Sequence, residues 1–222
     1  MATVLLTGFE RYGHTPVNPA ESVATALDGA TIGEATIDSR IVPNSFFLCI
    51  DSVREAIEQT QPKLVVMLGE YGGRAMITVE RWAFNLNDSA RYELADNQGV
   101  VLSGEPTAED GPLAYTSTLP IRAMVRAMRA AGVPADISDT PGTLCCNHLM
   151  YGVLHHLAQA RSPIRAGWIH LPHLPEVAAL PENLGAPSMS VETSAAGVRI
   201  GIEAALAHPT DIDETIVSRL QI

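Results

Sequence analysis

Leu64-Val65-Val66-Met67-Leu68, preceded by Pro62 and followed by Gly69, is an unbroken run of five apolar residues. A strand that faces solvent on one side alternates polar with apolar residues, whereas one covered on both faces stays apolar throughout. The run therefore predicts a central strand of a parallel sheet. Outward from it, Thr3 to Thr7 and Ala35 to Val42 read as strands, as do Ala135 to Ser138 and Ile164 to Leu171. Helical periodicity marks 45–60, with Phe46, Cys49, Ile50, Val53, Ala56 and Ile57 on one face.

Further helices are expected over Pro120–Ala131, from about Cys146 to Ala160, and over Val191–Ala207, and Asn18-Pro19-Ala20-Glu21 has the capping pattern that opens another. Ile77 to Asn85 reads as one more strand. Asn87 to Gly111 is polar, lacks sustained periodicity and predicts a long loop. Strand and helix in repeated alternation give the expected fold class: α/β, a single three-layer α/β/α domain with a twisted, mostly parallel sheet. That domain is expected over residues 1–208. The remaining tail, 209–222, carries Ile212, Ile216, Leu220 and Ile222 at roughly helical spacing and is expected to dock on the body or on a neighbouring subunit.

With 46% hydrophobic and 18% charged residues, the 222-residue chain can bury a substantial core. Its 14 Lys and Arg against 25 Asp and Glu give a formal charge of −11, whose field repels nucleic acid. The first residues have neither the basic flank nor the apolar length of a signal segment or membrane span. An odd count of three cysteines suits free thiols rather than a disulfide framework. A cytoplasmic protein with no membrane or nucleic-acid partner is expected.

Ligands of parallel sheets collect at the carboxyl ends of the strands. The turn after Ala135–Ser138 is expected to bring Cys146 to that edge at a helix start, where backbone N–H groups lower a thiol pKa and can receive an oxyanion. His170 ends a strand 24 residues later and can return to the same edge, as a base for the thiol. Cys145 is the rival nucleophile, and periodicity does not choose between them; His173 is the rival base. A buried cysteine is by default a small core hydrophobe, which suits Cys49. Glu80 is the candidate to orient the imidazole, since the interval from Gly69 is too short for a helical crossover; its plain reading is a partner for Arg74 or Arg81. His148, His155 and His156 show neither a CxxC nor an HExxH spacing with the cysteines, and no metal is expected.

Four stretches carry a resemblance: Gly8-Phe9-Glu10-Arg11-Tyr12-Gly13 with Asn18-Pro19; Gly72-Gly73-Arg74 leading to Glu80-Arg81-Trp82-Ala83-Phe84-Asn85; Gly142-Thr143-Leu144-Cys145-Cys146-Asn147-His148; and Gly167-Trp168-Ile169-His170-Leu171-Pro172. In this order the sequence resembles the pyroglutamyl peptidase type I, or pyrrolidone-carboxylate peptidase, family over about residues 3 to 208. The resemblance implies a cysteine exopeptidase that removes an N-terminal pyroglutamyl residue through a thioester, without a metal or other cofactor, on a fold that often forms tetramers or dimers. It maps the family's Glu, Cys and His onto Glu80, Cys146 and His170, choosing Cys146 over Cys145.

The resemblance also places Phe9 and Tyr12 at the slot for the pyrrolidone ring, and Glu70 at a lactam-recognition position. Tyr12 stands where the family usually has Phe, and Glu70 where it commonly has Gln. Within Asp88 to Asn97 the family's Asp-Ala-Arg and Pro-Asp-Asn elements stand closer together, so a small insertion over the substrate is expected. Two alternative functions are compatible with these departures: a non-catalytic pyroglutamyl-binding protein, and a nucleophilic hydrolase of another small amide.

Overall fold

All of β4 (Leu64–Glu70) is buried, and the run that begins at Leu64 does lie within a sheet. The computed structural model describes residues 2–13 and 15–220. Ahead of β4 come β1 (Ala2–Phe9), α1 (Pro19–Leu27), β2 (Thr31–Ile32), β3 (Ala35–Val42) and α2 (Leu48–Thr60). After it follow β5 (Ile77–Glu80), β6 (Trp82–Phe84), β7 (Asn87–Asp88), β8 (Ser103–Glu105), β9 (Ala114–Thr116) and α3 (Ile121–Ala130). The chain continues through β10 (Ala135–Ser138), α4 (Cys145–Gln159), β11 (Arg165–Leu171), α5 (Pro175–Ala178) and α6 (Val191–Ala207).

Seven strands form the main sheet in the order β10-β5-β11-β4-β1-β3-β2. Strands β3, β1, β4 and β11 are mutually parallel neighbours. Because successive side chains of a strand point to opposite faces, the apolar run of β4 feeds two cores. Leu64, Val66 and Leu68 join a cluster with residues of α1, α3 and α6, while Val65 and Met67 join one with α2 and α4. This is the expected α/β/α layering.

Two expectations require correction. First, Ile77 to Asn85 is not one strand. After Glu80 the backbone leaves the main sheet, where Arg81 N–H donates to Ser138 O and Trp82 N–H to Asp139 O, and β6 pairs instead with β9. Second, β10 does not deliver Cys146 to the carboxyl edge by a short forward turn. It runs parallel to β5, which is antiparallel to β11, so β10 points the opposite way to the central strands and residues 139–144 carry the chain back. Over 209–220 the tail forms no helix.

The tail docks on the body, one of the two placements expected for it. Asp211 accepts the N–H groups of Arg122 and Ala123 at the start of α3, whose own cap residue, Pro120, supplies no side-chain bond. Arg126 pairs with Glu214, and Asp136 of β10 accepts from Ser218 Oγ and Arg219 N–H. Ile216 packs on the α1/α3/α6 core; Ile222 lies outside the described residues.

The long segment after β6 is irregular apart from the β7–β8 pair and a 3₁₀ turn at Ala90–Tyr92. One buried histidine fastens its base. His148 of α4 is fully buried, and its Nε2 accepts the N–H of Phe47 at 2.9 Å. That bond places the ring proton on Nδ1, which faces Thr107 Oγ1 at 3.1 Å and Asn87 Oδ1 at 3.2 Å. Phe47 itself has φ 64°, an uncommon conformation for a residue with a side chain, so the histidine helps hold a strained turn.

Burial pulls the His148 pKa down to about 4, from an ordinary value of 6.5. Between those values the unfolded chain binds a proton that the folded chain refuses, so stability is complete above pH 6.5 and falls as pH drops toward 4. The full loss is on the order of 3 kcal/mol. Urea midpoints measured from pH 7 to 4.5 are expected to fall more steeply for wild type than for His148→Gln, and parallel curves would show that His148 does not drive the loss.

Candidate active site

Gly69, next to last in β4, is the floor of the site. A Cβ there would stand 2.5 Å from Trp168 Cζ2 and 3.1 Å from both Cys146 Sγ and His170 Cδ2. Thiol and imidazole thus converge on space that only a glycine leaves open. Cys146 arrives from the first turn of α4, where Leu144 makes no side-chain cap bond, and His170 from β11, where it pairs in register with Gly69.

Glu80, fully buried at the end of β5, receives His170 Nδ1 on Oε1 at 2.8 Å. With Nδ1 engaged in donation, Nε2, bonded to Cδ2, is left as the basic nitrogen. Oε1 also accepts Arg74 Nη1 at 3.0 Å and Thr78 Oγ1 at 3.1 Å, whereas Oε2 is buried without a hydrogen-bond partner. The plain reading of Glu80 as a partner of Arg74 and the sharper one as a partner of His170 therefore hold together. Arg81 instead pairs with Asp139.

Burial pushes the Cys146 thiol well above its ordinary range, and the neighbouring Cys145, Glu80 and Glu70 add to the rise. Burial pulls His170 down, against the opposing hydrogen bond and charge of Glu80. Burial thus favours the neutral form of both thiol and imidazole. Cys145 lies deeper and its thiol is likewise raised by burial, while Cys49 is wholly buried in the α2/α4 core.

Beside Cys146 opens a pocket of about 150 Å³. Buried Phe9 and Phe46 supply apolar wall, and Tyr12 and Glu70 line it too. The two positions at which the sequence departs from the motifs it resembles are bonded to each other: Tyr12 O–H donates to Glu70 Oε2 at 2.8 Å. Burial and the Glu70 charge keep the phenol protonated. On the other side, His173 Nδ1 meets Glu70 Oε1 at 2.7 Å. The two candidate bases thus serve different carboxylates, His170 on Glu80 and His173 on Glu70.

The pocket also draws on Asn44, which carries no advance sequence signal, and on the Asp88–Asn97 stretch expected to lie over the substrate. Asn44, Leu94 and Asp96 line it from remote segments. Burial alone would raise the Asp96 carboxyl, but donors from the Val100, Phe46 and Gln98 backbone and from Ser45 Oγ outweigh that and hold it below its usual range. Asp96 thereby ties the pocket wall at Ser45–Phe46 to the long loop. Asn147, beside the thiol in sequence, accepts Phe84 N–H and donates to Phe84 O and Leu86 O, fastening α4 to β6.

A larger groove of about 750 Å³, lined by Ala2, Lys63, Glu203 and Leu206 among others, lies at the amino end of the sheet and includes no cysteine or histidine. Among the described residues, no group of three or more His, Cys, Asp or Glu side chains is arranged to hold a metal ion.

Comparison with known proteins agrees with this architecture. The pyrrolidone-carboxylate peptidase of Mycobacterium tuberculosis (strain ATCC 25618 / H37Rv) is 64% identical over 222 residues, covering 100% of both chains. The crystal structure of Bacillus amyloliquefaciens pyroglutamyl peptidase I superposes with a TM-score of 0.91 at 38% identity, covering 96% of this chain and 100% of that one. Pyrrolidone carboxyl peptidase from Thermococcus litoralis gives a TM-score of 0.91 at 34% identity, with 97% and 100% covered. With the family model described as pyroglutamyl peptidase matching residues 2–208, the chain belongs to the pyroglutamyl peptidase family.

Proposed function

We propose that the protein hydrolyses the amide bond after an N-terminal pyroglutamyl residue, with Cys146 as nucleophile, His170 as acid and base, and Glu80 orienting the imidazole. The observation that carries this reading is the convergence of Cys146 Sγ and His170 Cδ2 over Gly69, with His170 Nδ1 already donated to a buried carboxylate.

As Sγ attacks the scissile carbonyl, His170 Nε2 takes the thiol proton. The oxyanion forms opposite the backbone N–H groups of the first turn of α4, where the helix dipole favours negative charge. Glu80 stabilises the imidazolium, which then gives its proton to the leaving amine as the C–N bond breaks. The thioester left on Cys146 is hydrolysed by a water whose proton goes to His170 and then back to sulfur, releasing pyroglutamate. Because burial favours the neutral thiol and imidazole, charge separation is confined to the step in which substrate is present to use it.

The ring occupies the pocket between Phe9 and Phe46, and Glu70 accepts the lactam N–H. A carboxylate only accepts hydrogen bonds, so this contact selects a ring that carries a donor there. The protein is further expected to work in the cytoplasm, consistent with three free cysteines, and as a homo-oligomer, for which exposed Leu113 and Leu184 supply apolar surface. No helix of the described residues is long and apolar enough to cross a membrane. Sedimentation of the purified chain reads the assembly.

On a pyroglutamyl coumarinyl amide, Cys146→Ser is expected to lose roughly 10³-fold or more in kcat, with Cys145→Ser close to wild type; the reverse pattern would overturn the choice of nucleophile. Glu80→Gln removes the group that raises His170, so kcat is expected to drop roughly 10²-fold and the acid limb of kcat/KM to move to lower pH. Replacing the ring N–H by oxygen in a lactone analogue is expected to cost wild type roughly 100-fold in kcat/KM and Glu70→Gln much less, since an amide can donate to that oxygen. Equal discrimination by both would remove Glu70 from ring recognition.

A further inference from the structure

Glu80 is bonded in a lopsided way. Three donors crowd Oε1 and none reaches the buried Oε2, an arrangement that a carboxylate serving only to knit the core would not favour. The largest of those donors is Arg74, in the turn between β4 and β5, only 8% exposed. Its guanidinium spans Thr78 Oγ1 at 2.6 Å, Glu80 Oε1 at 3.0 Å and Ser138 Oγ at 3.3 Å. The same cation lies 3.7 Å from the centre of the Tyr71 ring, and that ring meets His170 edge-on at 5.3 Å between centroids.

The groups that face His170 are therefore Glu80 from β5, Arg74 from the preceding turn, Glu70 and Tyr71 at the end of β4, and Cys146 from α4, with Trp168 beside it in β11. His173 is engaged with Glu70.

We propose that Arg74 is a positioning residue for the reaction: paired with Glu80 on the same oxygen that receives His170, it supplies the counter-charge that the imidazole would otherwise have to supply and so leaves the ring free to accept the thiol proton. The inference rests on the catalytic reading given above. A buried carboxylate whose sole partner is a histidine satisfies its charge by drawing a proton onto the ring, and an imidazolium formed before substrate arrives cannot serve as base. With Arg74 in place the charge of Glu80 is already balanced, and a second cation at His170 is opposed by the first. Arg74 and Glu80 thus push His170 in opposite directions. Tyr71, stacked on the guanidinium and edge-on to the imidazole, keeps both at the back of the site.

The test is the pH dependence of kcat/KM on a pyroglutamyl coumarinyl amide. Arg74→Met is expected to move the acid limb up by about one pH unit or more, so that activity lost at pH 6 is largely regained at pH 8. Arg74→Lys is expected to keep the wild-type limb. The double variant Arg74→Met/Glu80→Gln leaves no unpaired charge in the core and remains informative if the single variant does not fold. Its limb is expected above that of Glu80→Gln alone. A loss of the same factor at every pH, a limb displaced downward, or identical limbs for the double variant and Glu80→Gln would each overturn the proposal. Retention of activity in His170→Asn would instead remove the catalytic reading, while inactivity of His170→Asn with an unmoved limb in Arg74→Met would overturn this inference alone.

Discussion

The bare backbone at Gly69 is the constraint on which the site depends. The end of β4 passes beneath Trp168, Cys146 and His170 at distances that exclude even a methyl group. Two side chains that start 24 residues apart on different elements can share one small volume because the strand below contributes nothing to fill it. The same strand begins with Leu64 to Leu68, whose alternate side chains anchor both cores. Rigidity at one end and vacancy at the other are properties of a single seven-residue element.

Around this floor lie two carboxylates of different character. Glu80 is enclosed with Arg74 and Thr78 and works on the imidazole. Glu70 is shared between Tyr12 and His173 and lines the pocket beside Cys146. The side chains at positions 12 and 70 are best understood together: a phenol needs an acceptor when buried, and a carboxylate there needs a donor. Neither residue is well explained without the other.

Much of this was legible in the sequence for physical reasons that can be named. The uninterrupted apolar run announced a doubly covered strand, and Asn18 with Pro19 announced α1, where Asn18 Oδ1 does accept the Ala20 N–H. Cys146 and His170 were legible as ends of elements. Glu80 rested on the motif, because its local alternation continues through Trp82 although the backbone changes sheets between them. The reversed direction of β5 and β10 leaves no mark in periodicity, since a strand reads the same whichever way its neighbours run. In the tail, apolar spacing pointed to docking, but not to the polar contacts by which Asp211 and Glu214 engage the N–H groups and guanidinium of α3. The bond between Tyr12 and Glu70 joins residues 58 apart and belongs entirely to the tertiary fold.

The docked tail also bears on how copies of this protein can meet. Strand β10 is an outer strand of the sheet, and an uncovered outer strand offers its backbone as a template for another chain. Here Asp136 sits in that strand as an inward charge, bonded to Arg129 and to the tail at Ser218 and Arg219. At the far side the sheet ends in β2, only two residues long. The β10 margin is thereby held by a charged clasp, whereas β2 covers only the start of β3 at Ala35 and Thr36. A second copy meeting the β10 margin would therefore find charged side chains and the docked tail there rather than a bare strand.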